Sequence, residues 1–436
     1  MVKPDKANRN NMWELMETLF PIYRSLCGPG YHNSLREIQK RIPLDISEFP
    51  SNSKVFDWVI PKEFKVNEAY VEGSDGKRYF DFRDCSYHVS LYSQPFHGEL
   101  DREELIKHIA TRPMLPDAVP LTNTYYRPQW GLAASEREVQ ALPPGRYKVH
   151  IDTELSDGFL RIGEYYIPGD THREIMVTCY LCHPMGANDN LSGVVISTEL
   201  FKLLAQLPRR RYSYRLTIWP ETIGSITYIA NYPSRIQSVV GGFVVTCAGD
   251  SGAFTYKCSY HGNHLIDRAA IHALRHSGYP FKIVPYRHDF GSDECQFNAI
   301  GLRLPFGSIM RSMYGEFPAY HSSADDLSFV RPQFLFESLQ VYWETLMTLE
   351  RAITYRGKFT VDPFLTAHGI YPWDQGSGAG EVGNAIARAY YHLMGGVDGQ
   401  SDLLEIADRA SEPITVFDRA VADFLRAGLM EEAQNQ

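Results

Sequence analysis

Cysteine is scarce in this chain. Seven occur in 436 residues, an odd and sparse set that argues against a disulfide framework and fits reduced thiols in the cytoplasm. No run of 18 apolar residues is present, so no membrane span is predicted. Residues 1–11 hold no apolar segment of the kind a secretory signal needs, so none is expected. Basic charge is in deficit: 43 Lys and Arg face 52 Asp and Glu, a net of −9. That sign removes any global attraction to nucleic acid or to an anionic membrane. A Gly-x-Ser-x-Gly elbow is missing, which sets aside Ser192 and Ser197 as nucleophiles. No internal repeat or low-complexity tract stands out.

What remains is an ordinary globular composition, 44% hydrophobic, in a chain long enough for two or three domains. Residues 11–27 carry apolar side chains at helical spacing, and Cys27-Gly28-Pro29-Gly30 breaks the pattern. Ser34 followed by Glu37 reads as a capping box opening a second helix through Ile42. From residue 55 to about 94 the grammar switches to short alternating runs, such as 64–71 and 87–92, divided by turns such as Ser74-Asp75-Gly76. This predicts a small β-rich module inserted between two other segments. From about residue 128, strands and helices alternate. Strands are expected at 147–152, 174–181, 214–219, 242–247, 281–286 and 301–306, and helices at 191–204, 225–231, 264–276, 293–299 and 332–355. Such alternation predicts an α/β fold with a mostly parallel, mixed sheet flanked by helices. The expected domains are an α/β domain from 1–54 and 128–358, the inserted β-rich domain at 55–127, and a C-terminal domain at 359–436.

The C-terminal residues read as a loop at 374–380 and three short helices at 381–392, 402–409 and 414–427, with a helix-turn-helix look that any small helical module would share. Residues 361–436 hold twelve acidic and four basic side chains. DNA binding neutralises phosphates with Lys and Arg. This region is therefore expected to meet a protein partner or a second copy, or to pack on its own chain, rather than bind DNA.

The most informative stretch is Cys182-His183-Pro184-Met185-Gly186-Ala187-Asn188-Asp189-Asn190-Leu191-Ser192-Gly193. It follows the apolar run 174–181 and precedes the helix expected at 191–204. A histidine thus ends a strand, and an aspartate six residues later opens a helix. Imidazole and carboxylate on one strand-end loop are what a catalytic zinc site takes from one segment. The alternative is that Asp189 is only an N-cap and His183 only a loop residue. Other metal-competent side chains also follow strands: Glu221, Asp250, Asp293 and His321. In an open α/β sheet, ligands gather beyond the carboxyl ends of the strands, so these five positions are expected to share a site. Cys179 and Cys182 form a Cys-x-x-Cys, but they fall in or at the end of a strand, not at a helix N-terminus where a thiolate is stabilised. They are expected to be packing residues.

At these positions the chain resembles the zinc-dependent exopeptidases of the co-catalytic aminopeptidase type, over roughly residues 130–350. The resemblance rests on His183, on Asp189-Asn190-Leu191-Ser192-Gly193, on Glu221, on the Ser292-Asp293 step and on Tyr320-His321-Ser322-Ser323-Ala324-Asp325. The whole chain is similar to a bacterial group that adds an inserted β domain and a C-terminal winged helix to an aminopeptidase-like core. This implies a zinc exopeptidase-like fold, a winged-helix-like C-terminal domain and bound zinc. The chain departs from the family's Glu pair, since Thr222 follows Glu221. It also departs where a later Asp ligand is expected, since Cys247 stands there and Asp250 follows three residues on. A single zinc held by His183, Asp189 and His321 is therefore expected. Asp250 is a substitute ligand, and a second metal is weakly held or absent.

Glu221 matches the first residue of the family's pair, which implies the general base. Asp293 is expected either to orient a ligand from behind or to cap its helix. Asp325 and Asp326 are expected to cap or stay solvated. Arg311 is a candidate clamp for a substrate carboxylate. Tyr256, Lys257, His261 and His264 are candidates to line the cleft, each equally readable as structural. The implied activity is metal-assisted hydrolysis of an amide in a small peptide or peptide-like substrate. The alternatives are deacylation of an amino sugar or metabolite, and an inactive aminopeptidase fold used for binding or regulation. A purely structural zinc fits less well, because three protein ligands leave a fourth position open.

Overall fold

The strands that build the core are buried on both faces, and a buried ion pair, Arg215 with Glu174, joins two of them. Glu174–Tyr180 and Ser213–Trp219 are buried at every position, as parallel strands covered on two sides must be. The computed structural model describes residues 2–125, 127–372 and 381–433. The chain divides into two compact units, 1–262 with 280–340 and 263–279 with 341–436.

The first unit carries an eight-stranded sheet. In chain order its strands are Asp45–Pro50 (β1), Phe159–Ile167 (β2), Glu174–Tyr180 (β3), Ser213–Trp219 (β4), Val239–Val244 (β5), Phe254–Lys257 (β6), Phe281–Val284 (β7) and Phe306–Met310 (β8). Their spatial order is β1-β2-β4-β3-β5-β8-β6-β7. The central β4, β3, β5 and β8 run parallel. On one side β2 and β1 are added antiparallel, and on the other β6 opposes β8 while β7 runs parallel to β6. This is the mixed, helix-flanked α/β sheet expected from the sequence. Helix Ser192–Ala205 is buried along most of its length, its polar Ser197, Thr198 and Glu199 included. Its start presses on the sheet: a Cβ on Gly193 would stand 2.0 Å from the Val245 carbonyl oxygen. Only glycine lets the Asp189 turn sit this close to the strand end.

A second, four-stranded antiparallel sheet joins Arg78–Tyr79, Glu63–Gly73, Arg146–Ser156 and Phe96–Asp101 in that order. Its core includes Val71, Phe80, Leu132 and Ile151. The strand expected at 147–152 belongs to this sheet. The last strand of the large sheet begins at Phe306 and not near 301. Arg303 takes a φ of 52°, which breaks an extended path, and Leu302 and Leu304 pack on the core as loop residues. The second helix is Pro29–Gln39, with Gly28 at its N-cap. Proline at the first helical position has no amide to lose and a preset φ, so it overrides the capping box expected at Ser34.

The second unit holds helices Leu265–Arg275, Glu381–Gly396, Leu403–Ala410 and Asp418–Arg426. Its three-stranded antiparallel sheet orders Asp398–Asp402, Thr354–Gly357 and Met430–Glu432. The last expected helix is divided into a 3₁₀ turn, Ile414–Phe417, and the helix after it. The loop expected at 374–380 lies outside the described residues. No helix among the described residues is long and apolar enough to cross a membrane.

Candidate metal centre

β3 ends at Tyr180, and His183 follows on the loop beyond it. The next turn, Ala187–Leu191, puts Asp189 at non-helical dihedrals, with a cis Asp189–Asn190 peptide. His321 comes from the loop after β8. These three residues each bring one ligand atom within 4.8 Å of the others, and they form the one such group among the described residues. Asp189 Oδ2 lies 3.1 Å from His321 Nε2 and 3.4 Å from His183 Nδ1. Glu221, just past β4, brings Oε2 to 3.6 Å from His183 Nε2.

The remaining atoms of these groups are already committed. His183 Nδ1 stands 3.0 Å from the Asp189 carbonyl oxygen. In the neutral ring, donation there leaves the lone pair on Nε2. Tyr180 donates its hydroxyl to Asp189 Oδ1 at 2.6 Å. Asp189 Oδ2 and His321 Nε2, both buried, have no hydrogen-bond partner outside the group of three. Buried polar atoms are rarely left so. Two of them face to face, with a second imidazole beside them, are the nitrogen and oxygen donor set that suits zinc. Burial opposes charge on His183, but Asp189 and Glu221 outweigh it and push the imidazole up to about 9.

Asp325 departs from its expected role as a cap or a solvated residue. It is buried, and its carboxylate receives the backbone amides of Asn188 at 2.7 Å and Asp189 at 2.9 Å. Burial pushes it up to about 8. Arg24, also buried, donates to the carbonyls of His183 at 3.0 Å and Pro184 at 3.2 Å. The loop from His183 to Asp189 is thus fixed from behind by Arg24 and by Asp325, the last residue of the His321 motif.

Glu221 is held as firmly. Ser292 Oγ donates to its Oε1 at 2.5 Å, and its own amide donates to Cys182 Sγ at 3.4 Å. Burial, and then the nearby Asp189, raise its carboxyl above the ordinary range. Asp293 accepts from Trp219 Nε1, the Thr222 amide and Ser225 Oγ at 2.9, 2.8 and 2.6 Å. It makes no side-chain cap to its helix. It braces the turn in which Thr222 adopts a φ of 65°. Burial and the charge of Glu221 push Asp293 up to about 7. Glu294 accepts the Ser292 amide and pairs with the fully buried Lys257 at 2.9 Å. Lys257 therefore supports this turn from inside the fold and does not line a cleft.

Two expected residues stand apart. Asp250 is outside the group of three. It accepts from Asn188 Nδ2 at 2.9 Å, from the Gly252 amide at 2.6 Å and from Ser312 Oγ at 2.7 Å. The cause is that β5 ends at Val244, so the chain winds through Thr246–Gly249 before reaching it. Cys247, at the position of the expected later ligand, is a buried thiol whose pKa burial raises. A protonated thiol is a poor ligand. Arg311, expected to clamp a substrate carboxylate, is instead engaged inside the fold. It is buried, bonded to Glu337, the Gly252 carbonyl and Ser338 Oγ, and set between the rings of Phe254 and Phe334. Tyr256 is buried in β6, and His264 caps helix Leu265–Arg275. The Cys-x-x-Cys cysteines are free and buried, and burial pushes the Cys179 thiol up to about 12.

Residues 13–352 match the family described as "Domain of unknown function (DUF4910)". The chain belongs to that family. A Clostridium acetobutylicum relative, named "putative polysaccharide biosynthesis protein with aminopeptidase-like domain", is 39% identical over 397 residues, covering 91% of this chain and 90% of that protein. A crystal structure of a "putative peptidase" from Clostridium acetobutylicum superposes with a TM-score of 0.88 at 36% identity, covering 98% of this chain and 97% of that one. A zinc aminopeptidase from Bacillus subtilis shares the fold, with a TM-score of 0.58 at 14% identity over 80% of this chain and 95% of its own. This family member therefore has the aminopeptidase fold that the sequence motifs imply.

Proposed function

We propose that this protein is a zinc-dependent hydrolase of an amide bond, aminopeptidase-like, acting on a small peptide or peptide-like substrate. One observation carries the reading. Asp189 Oδ2 and His321 Nε2 are buried, 3.1 Å apart and without a hydrogen-bond partner outside the group of three, with His183 on one side and the Glu221 carboxylate beyond it. His183, Asp189 and His321 would hold one zinc. When bound, the ion polarises a carbonyl and lowers the pKa of water from about 15.7 to roughly 7.

The protein's own groups do the rest. Glu221 takes the proton of the attacking water on Oε2 and returns it to the leaving amine. Ser292 keeps Oε1 occupied, so the proton travels through one oxygen. The raised carboxyl pKa brings the base closer to the pH at which it must both accept and release a proton. Asp293 and Cys182 fix the backbone on either side of Glu221, so its carboxylate does not swing away. With Thr222 and Cys247 in place of two carboxylates, one tightly held ion is the better reading than two.

Metal content and a panel of aminoacyl amides test this. The expected result is zinc near one per chain and turnover that falls about 10²- to 10⁴-fold in Glu221→Gln with zinc retained. Zinc binding without turnover on peptides would move the assignment to a second reading, deacylation of an amino sugar. The name of the Clostridium acetobutylicum relative pairs polysaccharide biosynthesis with an aminopeptidase-like domain. Acylated amino sugars therefore belong in the panel.

A further inference from the structure

Both imidazole-bearing loops touch one segment from outside the large sheet. Segment 112–123 is pinned at one end, where Leu91 donates its amide to the Thr122 carbonyl at 2.9 Å and Ser90 Oγ bonds Thr122 Oγ1 at 2.7 Å. Its other face grips the loop of His321. The Leu121 amide donates to the carbonyl of His321 itself at 2.9 Å. Val119 and Ser323 are joined twice, by Ser323 N to Val119 O at 2.8 Å and by Val119 N to Ser323 Oγ at 3.0 Å. Arg112 Nη1 donates to the Tyr320 carbonyl at 2.5 Å. Pro120 and Ser322 form an antiparallel bridge. The same segment reaches the other loop by packing. Val119 lies in a buried cluster with Tyr87 and Ala133, and Met185, two residues past His183, packs against it.

His321 needs such support. Its φ is 52°, in the left-handed region that residues with a side chain adopt only where their surroundings over-determine the backbone. Residues 320, 321 and 323 each receive or donate a hydrogen bond from 112–121, which supplies that constraint.

Resting on the metal-centre reading, we infer that segment 112–123 is a positioning strap for His321. Its hydrogen bonds set where Nε2 stands against Asp189. They thereby set the strength and geometry with which the centre takes an ion. The segment contributes no ligand atom, so its changes reach the centre only through backbone placement.

The test uses the full chain and two mild variants. Arg112→Met changes a half-buried side chain, and Ser323→Ala deletes one oxygen. Histidine-selective ¹⁵N labelling of the metal-free protein follows the His321 imidazole. Chelator competition measures Zn²⁺ affinity, and Co²⁺ absorption reports ligand geometry. Both variants are expected to shift the His321 resonance while leaving His272 unmoved. They are also expected to weaken Zn²⁺ at least tenfold, the low end of the roughly 10- to 100-fold carried by groups that orient a ligand, and to alter the Co²⁺ bands. Arg112→Lys, which keeps a donor, is expected to recover part of the loss. Folded variants with the parent's His321 resonance and Zn²⁺ affinity would overturn the strap. A parent chain that takes up no Zn²⁺ would overturn the metal-centre reading instead. In that case the His321 resonance alone decides: shifted in both variants, the strap stands, and unshifted, it falls.

Discussion

Two histidine–aspartate contacts, one in each compact unit, look alike and differ in what they leave unmet. In the second unit His272 Nδ1 stands 2.7 Å from Asp408 Oδ1, and its Nε2 accepts the Ile414 amide at 3.0 Å. Arg275 reaches the same carboxylate at 3.3 Å. Both ring nitrogens are satisfied, and the pair ties helix Leu265–Arg275 to Leu403–Ala410 and the turn after it. In the first unit Asp189 Oδ2 and His321 Nε2 stand farther apart, at 3.1 Å, and neither has a hydrogen-bond partner outside the group of three. A contact between imidazole and carboxylate says little by itself. What marks a site is the lone pair still free after every neighbour has been counted.

The comparison can be broken by exchanging the insult. Asp189→Asn is expected to lower zinc affinity by more than the roughly 10- to 100-fold typical of an outer partner, since it removes a ligand charge. Asp408→Asn is expected to leave zinc affinity unchanged and to cost about 1 kcal/mol of stability, the net worth of one hydrogen bond. Chelator competition and chemical denaturation of both variants check this. Equal losses of zinc would erase the distinction.

A finer test falls on Asp325, which touches Asp189 only through its backbone amide. Asp325→Asn is expected to weaken zinc by roughly 10- to 100-fold with Glu221 untouched, read by the same competition assay. The smallest expected effect is a change of slope. Asp293 is held at about 7 and Asp325 at about 8, both above the ordinary value near 3.9. An acid raised in the folded state stabilises below its unfolded pKa, and that stability is lost as pH rises through the folded value. The melting temperature of the metal-free chain is therefore expected to decline between pH 4 and 8. Asp293→Asn is expected to flatten the part of that decline below pH 7. A variant with the parent's slope would show that the proton on Asp293 carries no folding energy.

The same accounting explains what could be read from the sequence. His183, Asp189 and Glu221 are legible because strand ends and a helix start fix their places locally, whereas His321, on the long loop after β8, is legible only through the Tyr320–Asp325 motif. The central strands are legible because runs such as 174–180 are dominated by apolar side chains, Ile175, Met176, Val177 and Cys179 among them. Asp250 was misplaced by three residues of strand, since β5 stops at Val244 while the apolar pattern continues through Val245. Arg311 was misread because nothing local announces its partner Glu337 or the rings on either side. Asp325 looked like a solvated cap, and only the tertiary fold buries it beneath the Asn188 and Asp189 amides. The segment at 112–123 had no signal at all. Its role lies in backbone hydrogen bonds, which any residue except proline can donate.

Trp219 gives the protein an optical probe of its own. This fully buried indole, one of six in the chain, donates to Asp293, the carboxyl that also receives the Thr222 amide beside the base. Loss of the proton near neutrality places a negative charge at the end of the indole dipole. The part of the chain's fluorescence that Trp219→Phe removes would then track the charge behind Glu221 without any added dye.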